Sequence, residues 1–184
     1  LDFWWMALRD DARAPNNWNP WINSNWLTSE LLIARDEDGR AAAVHKILRS
    51  LDRFVAGYAP DGGCDEGPGY WGRAGASLFD CLELLDSATA GRVRYWDRPL
   101  VKEIGRYICK VHIHDDWFVN FADAPAKVRV SAPLVYRYGK AIGDPMMMKM
   151  GAWAAEGDRT FDGGSLGRQL PALFVEKELR AAPK

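Results

Sequence analysis

The sequence contains no cluster of lysine and arginine and no long apolar run. A membrane-spanning helix needs about 20 consecutive apolar residues, and no stretch approaches that length. The formal net charge is −1, whereas proteins that bind nucleic acid or anionic membranes depend on a basic excess. We therefore expect neither nucleic acid nor a membrane as a partner. For localisation we expect either the bacterial periplasm or the cytoplasm, because the composition does not separate them.

Cysteine and histidine are scarce, with three of each. The three cysteines are Cys64, Cys81 and Cys109, an odd number at spacings that match no zinc or redox motif, which predicts free thiols. A local group of imidazole and carboxylate side chains consists of His112, His114, Asp115 and Asp116. Its spacing fits no established zinc pattern, so a loop or the rim of a sugar-binding cleft is the favoured interpretation. We expect neither a metal nor another cofactor.

Tryptophan is abundant by contrast. The chain has nine, and five of them fall within the first 26 positions: Trp4, Trp5, Trp18, Trp21 and Trp26. Large flat rings with one polar edge suit the apolar faces of sugars, and they are also common in protein interfaces. Composition alone leaves both interpretations open.

Helical periodicity dominates the apolar pattern. Between residues 39 and 55, apolar side chains recur at steps of three and four, which indicates an amphipathic helix. Further helices are predicted at residues 26–34 (capped by Ser24 or Asn25), 69–85, 100–111, 133–142, 146–155 and 166–181. Residues 112–127 are predicted to form an aromatic and acidic loop, with a possible short strand at 128–130. We therefore predict one all-α domain over residues 1–184, built from antiparallel helix hairpins.

Two stretches carry residue types suited to chemistry. Residues 15–21 hold three amides and two indoles, and amides bind sugar hydroxyls or a uronate carboxylate at modest desolvation cost. The alternative is a set of turn and capping residues. Residues 61–73 place Tyr70 in the first turn of a helix opened by Pro68, with Arg73 on the same side. The helix dipole and Arg73 would favour negative charge there, so Tyr70 is a candidate acid or base, or an aromatic residue packed at a helix start.

Three blocks, NNWN, DGGCDEGPGYWGRAG and HIHDDWFVNFADA, occur in this order and resemble the heparinase II/III-like family over residues 16–127. The resemblance implies an α/α toroid joined to a C-terminal β-sandwich. It also implies β-elimination of a uronate-containing polysaccharide such as heparin, heparan sulfate or alginate. Some members draw a further catalytic residue from the β-sandwich, so we expect this chain alone to be inactive and to need that domain as a partner.

The resemblance further implies residue roles. Asn17, with Asn16 as the alternative, matches the amide that binds the substrate carboxylate, and Tyr70 matches the family's proton-transferring tyrosine. Some members have histidine where this chain has Trp18, so a neutral amide must do more of the work. The candidate substrate-binding residues are Asn16, Trp18, Glu66, Trp71, Arg73, His114 and Asp116.

Two other functions remain possible from the sequence. A glycoside hydrolase on a similar toroid would need two carboxylates about 5 to 9.5 Å apart. The acidic residues that could supply them are Asp61, Asp65, Glu66, Asp115 and Asp116. A non-catalytic glycan-binding or structural domain is the third possibility.

Overall fold

The computed structural model describes residues 2–9, 13–156 and 165–183. It divides into two compact units, which we call the N-terminal unit (Leu1–Ala59 and Arg73–Tyr95) and the C-terminal unit (Pro60–Gly72 and Trp96–Lys184). The single domain expected from the sequence stays a prediction, because compactness does not show whether either unit folds alone. No helix in the described ranges has the length and apolar character required to cross a membrane.

The described chain is mostly helical, which confirms the predicted all-α class. In chain order, a 3₁₀ turn at Trp4–Met6 precedes α1 (Trp18–Leu32), α2 (Glu37–Ala56), α3 (Pro68–Trp71), α4 (Gly75–Ala88), α5 (Pro99–Lys110), β1 (His112–His114), β2 (Trp117–Phe118), α6 (Ala132–Ile142), α7 (Pro145–Ala154) and α8 (Leu166–Ala181). Helices α2, α5, α6, α7 and α8 begin and end within two residues of their predicted positions. The predicted positions of these five helices are therefore confirmed.

In the N-terminal unit, α1 packs against both α2 and α4, and the 3₁₀ turn contacts α1 and α2. The prediction that the first helix begins near residue 26 is wrong, because α1 begins at Trp18. Pro20 lies in the first turn, where a missing backbone N–H costs no hydrogen bond. Ser24 and Asn25 do not cap the helix, since both side chains donate to the carbonyl of Trp21 within it.

The prediction of one helix over residues 69–85 is also wrong. Pro68 opens α3 as expected, but the helix stops after Trp71, and Ala74 has non-helical angles (φ −94°, ψ −92°) before α4 begins. Glycine at position 72 weakens helical continuity at this point. A helix of four residues sums few peptide dipoles, so the dipole argument for charge at Tyr70 loses its basis.

Residues 112–127 do not form the irregular loop that the sequence predicts. Strands β1 and β2 pair antiparallel, and Lys127 forms an isolated bridge with Trp117. The possible strand at 128–130 is not formed, although the N–H of Val128 donates to the carbonyl of Asp116 at 2.8 Å. The bridge brings Trp117 and Lys127 together, although they are ten residues apart in the chain.

In the C-terminal unit, α6 and α7 form a closely packed pair, with α5 and α8 against both. Two glycines permit the close approach. A β-carbon on Gly139 would lie 2.7 Å from the β-carbon of Met147, and one on Gly151 would lie 2.7 Å from the backbone nitrogen of Tyr136. Contacts this short leave no room for any other residue at the crossing.

Asp144 joins α7 to α5 by capping the first helix and pairing with Arg106 of the second. One carboxylate oxygen accepts the Met147 N–H at 3.0 Å and caps α7, while the other lies 2.7 Å from the Nε of Arg106. Burial opposes ionisation of Asp144, but the Arg106 hydrogen bond and the N–H groups of Met147 and Met146 outweigh it and hold its pKa below the usual value. This contribution to stability is present above the ordinary carboxyl pKa and is lost as pH falls through the folded pKa.

We expect Gly151→Ala to lower the free energy of unfolding by about 1 to 3 kcal/mol, because the added methyl group must push α6 away from α7. Thermal denaturation followed by circular dichroism measures the effect. Gly72→Ala is the matched control in the same unit, since its methyl group would meet nothing within 4 Å and its backbone is helical. Equal melting temperatures for the two variants would contradict the close approach.

Candidate functional site

An exposed aromatic surface lies on the N-terminal unit. Trp4, Trp18 and Trp21 are 56%, 46% and 37% exposed, and the rings of Trp4 and Trp18 lie 5.9 Å apart. Trp18 and Trp21 are three residues apart on α1 and therefore share a face. The guanidinium of Arg73 lies over the Trp21 ring, 4.7 Å from its centroid. We call these four residues the tryptophan surface.

A fully buried amide network positions this surface. The Nδ2 of Asn19 lies 2.9 Å from the carbonyl oxygen of Trp5, 3.1 Å from that of Ser50 and 3.0 Å from the Ser50 hydroxyl. The Nδ2 of Asn23 donates to the Asn19 Oδ1 at 3.2 Å and to the Ser50 hydroxyl at 3.0 Å. The network thus ties the 3₁₀ turn to α1 and α2. Asn19 is a packing residue, so the sugar-binding interpretation of this third amide is wrong.

The first residues are held to α2 by a second contact. Lys46 lies 2.6 Å from a carboxylate oxygen of Asp2, and this hydrogen bond and charge hold the pKa of Asp2 below its usual value. Phe3 stacks on Trp5 with ring centroids 6.0 Å apart. Trp4 is therefore presented from a turn anchored on both sides.

The two predicted amides differ in accessibility. Asn17 is only 6% exposed at the start of α1, and its backbone carbonyl accepts the N–H of Trp21. Asn16 is half-buried, and its Oδ1 accepts the Trp18 N–H at 3.1 Å. The oxygen of Asn16 thus satisfies a helix-start donor, as the capping alternative expected. Binding of a carboxylate by Asn17 stays a prediction, and Asn16 is the more accessible of the pair.

In the C-terminal unit, Trp71 is not a sugar platform. It is 3% exposed, its Nε1 donates to the carbonyl of Ile104 at 2.8 Å, and its ring stacks on Tyr138 with centroids 6.3 Å apart. The prediction that Trp71 stacks on a sugar is therefore wrong, because neither ring face is open to a ligand. Its role is to anchor α3 to α5 and α6.

Tyr70 precedes this anchor and is half-buried, as is Glu66. The backbone N–H of Tyr70 donates to the carbonyl of Gly67, whose φ of +83° suits glycine. A β-carbon on Gly67 would lie 2.6 Å from that of Ala124, so the loop before Tyr70 packs directly on the segment after β2. Proton transfer by Tyr70 and substrate binding by Glu66 stay predictions.

The β1–β2 hairpin groups several polar side chains. His114 is exposed, with its Nδ1 3.1 Å from a carboxylate oxygen of Asp115. The Nζ of Lys127 lies 3.5 Å from a carboxylate oxygen of Asp116 and 4.7 Å from the ring centroid of Trp117. Sequence reasoning missed Trp117 and Lys127, because it predicted no strand that would bring them together. The predicted substrate-binding roles of His114 and Asp116 stay predictions.

We expect Asn19→Ala to lower the free energy of unfolding by about 2 to 3 kcal/mol, because it leaves buried partners in the turn and in α2 without their donor. Urea unfolding followed by tryptophan fluorescence measures the change. The control is Asn25→Ala, which removes an exposed amide bonded only within α1. A similar loss in both variants would contradict a special role for the buried network.

Comparison with known proteins gives no family, since no protein-family model matches the chain and no curated protein matches it. The resemblance to the heparinase II/III-like family therefore rests on the three sequence blocks alone.

Proposed function

We propose that this chain binds an acidic polysaccharide through the tryptophan surface and forms the helical part of a polysaccharide lyase similar to the heparinase II/III-like enzymes. The main support is the exposed Trp18 beside a guanidinium that lies 4.7 Å above the Trp21 ring. An exposed indole can stack on the sugar ring, and a neighbouring cation can bind the sugar carboxylate. A uronate sugar offers both of these interactions.

Each part of the surface suits a different part of such a sugar. The C–H groups of a pyranose ring form an apolar face that packs on an indole, and an exposed indole gains by losing contact with water. The planar guanidinium of Arg73 matches a carboxylate with two parallel hydrogen bonds. Trp21 restricts the position of Arg73 before any ligand arrives, which lowers the ordering cost on binding.

The short connections between helices support the proposed α/α toroid. Helices α1 and α2 pack together and are joined by residues 33–36, and α6 and α7 pack together and are joined by residues 143 and 144. Such short connections produce antiparallel hairpins, the repeating element of an α/α toroid. The toroid remains part of the proposal.

The proposed chemistry is β-elimination. The C5–H bond of a uronate and the C4–O glycosidic bond break, a C4–C5 double bond forms, and the departing oxygen receives a proton. The proposed role of Tyr70 is to take the C5 proton on its phenolate oxygen and then to deliver that proton to the departing oxygen, so that one side chain acts first as base and then as acid. The amide of Asn17 or Asn16 would donate to the sugar carboxylate as negative charge develops on it.

For binding, we expect Trp18→Ala to weaken the affinity of the chain for heparin or alginate oligosaccharides about tenfold, or about 1.4 kcal/mol, because it removes the stacking face. Arg73→Gln should weaken binding of these acidic ligands similarly and reduce its salt dependence. Isothermal titration calorimetry at two salt concentrations measures both effects.

The controls for binding are Tyr95→Ala and Arg53→Gln, which remove an exposed aromatic ring and an exposed cation elsewhere on the same unit. Equal affinity for acidic oligosaccharides and a neutral glucan would contradict the role of Arg73. Full binding by Trp18→Ala would remove the tryptophan surface from the proposal.

For catalysis, we expect Tyr70→Phe to reduce turnover at least about 100-fold with little change in glycan affinity, because only the transferable proton is lost. The assay uses the natural protein that carries this sequence and follows the near-ultraviolet absorbance of the unsaturated uronate product. Tyr95→Phe is the control. Products without this absorbance would indicate a hydrolase, whereas unchanged turnover in Tyr70→Phe would exclude Tyr70 as the proton carrier.

A further inference from the structure

The C-terminal unit contains a groove of about 380 Å³ whose lining is rich in sulfur. It lies where the end of α5 and the first residue of β1 face α7. Cys109 and Met150 lie in direct contact there, with Sγ and Sδ 3.3 Å apart. Met146, one turn before Met150 on α7, lines the same groove and is largely exposed.

His112 adds an imidazole to these sulfur atoms. Its Nε2 lies 2.8 Å from the carbonyl oxygen of Asp115. A carbonyl oxygen only accepts hydrogen bonds, so Nε2 carries the hydrogen and Nδ1 keeps a lone pair in the neutral ring. The ring lies between Phe118 and Trp153, with centroids 4.9 Å and 5.1 Å away, which restricts its orientation.

We propose that this groove binds a soft monovalent metal ion, Cu(I), through the sulfur atoms of Cys109, Met150 and Met146 and the Nδ1 of His112. Thiolate and thioether ligands select Cu(I), and imidazole accepts copper as well. The ligands come from two helices and one strand of the same unit, so the ion would join α7 to the end of α5.

Hard divalent ions fit the groove less well. Within residues 2–9, 13–156 and 165–183, no group of three or more histidine, cysteine, aspartate or glutamate side chains could hold a metal ion. Calcium and magnesium prefer oxygen ligands, whereas thioethers favour soft ions. Lys149 also lines the groove, and its positive charge repels a divalent ion more strongly than a monovalent one.

Binding changes the protonation of Cys109 but not its oxidation state. Burial, with a smaller contribution from the charge of Asp144, raises the pKa of the Cys109 thiol to about 12. The thiol is therefore protonated at neutral pH. When Cu(I) binds, the S–H bond breaks, a Cu–S bond forms and one proton passes to the solvent, so no oxidant or reductant is consumed.

The test is a competition for Cu(I) between the full chain and the chromogenic chelator bicinchoninate, carried out without oxygen. We expect the wild-type chain to remove one Cu(I) per molecule from the coloured complex. Cys109→Ser and Met150→Leu should each reduce the affinity about tenfold or more, because each removes one ligand. Met148→Leu is the matched control, since it makes the same change on α7 at a residue that does not line the groove.

Circular dichroism and melting temperature show whether each variant folds. A folded Met150→Leu chain with wild-type affinity would overturn the site, because the thioether in contact with Cys109 would then not be a ligand. Wild-type affinity for Cu(I) in folded Cys109→Ser would also overturn it, by assigning the metal to other residues. Failure of the wild-type chain to compete with bicinchoninate would overturn it as well. Glycan binding is a separate readout, so either proposal can fail alone.

Discussion

The arrangement of the N-terminal unit depends on one buried side chain, the amide of Asn19. A polar group removed from water must find partners inside the protein, and Asn19 finds them on the 3₁₀ turn and on α2. These hydrogen bonds are directional, so they fix the position of the turn more sharply than apolar packing would. The network is not fully satisfied, since the Oδ1 of Asn23 has no hydrogen-bond partner in the described part of the chain.

Helices with a strong period were predictable because their burial follows their own sequence. Helix α2 alternates apolar and charged faces over five turns, and its predicted bounds were nearly correct. The start of α1 was not predictable from local pattern, because asparagine and proline are typical of loops as well as of first helical turns. The burial of Trp71 against Ile104 and the bridge between Trp117 and Lys127 involve residues distant in sequence, so no local pattern indicates them.

In the candidate site too, some features were predictable from the sequence and others depend on tertiary packing. Exposed indoles at Trp18 and Trp21 agree with what the composition suggested, since five tryptophans near one end exceed the needs of a small core. The sequence could not separate Trp18 from Trp71, because both lie near a predicted or observed helix start and only tertiary packing buries one of them. For the same reason it grouped Asn16, Asn17 and Asn19 together, although the structure gives each amide a different environment.

The anchored 3₁₀ turn contributes both to the exposed aromatic surface and to the buried hydrogen bonds of the N-terminal unit. Trp4 supplies part of the exposed aromatic area, while the neighbouring Trp5 carbonyl satisfies the amide buried beneath it. Detachment of this short segment would remove the Trp4 indole from the exposed aromatic surface. It would also remove the Trp5 carbonyl from the buried Asn19 amide. Any change that loosens this turn therefore also draws on the marginal stability of the helices that the turn packs against.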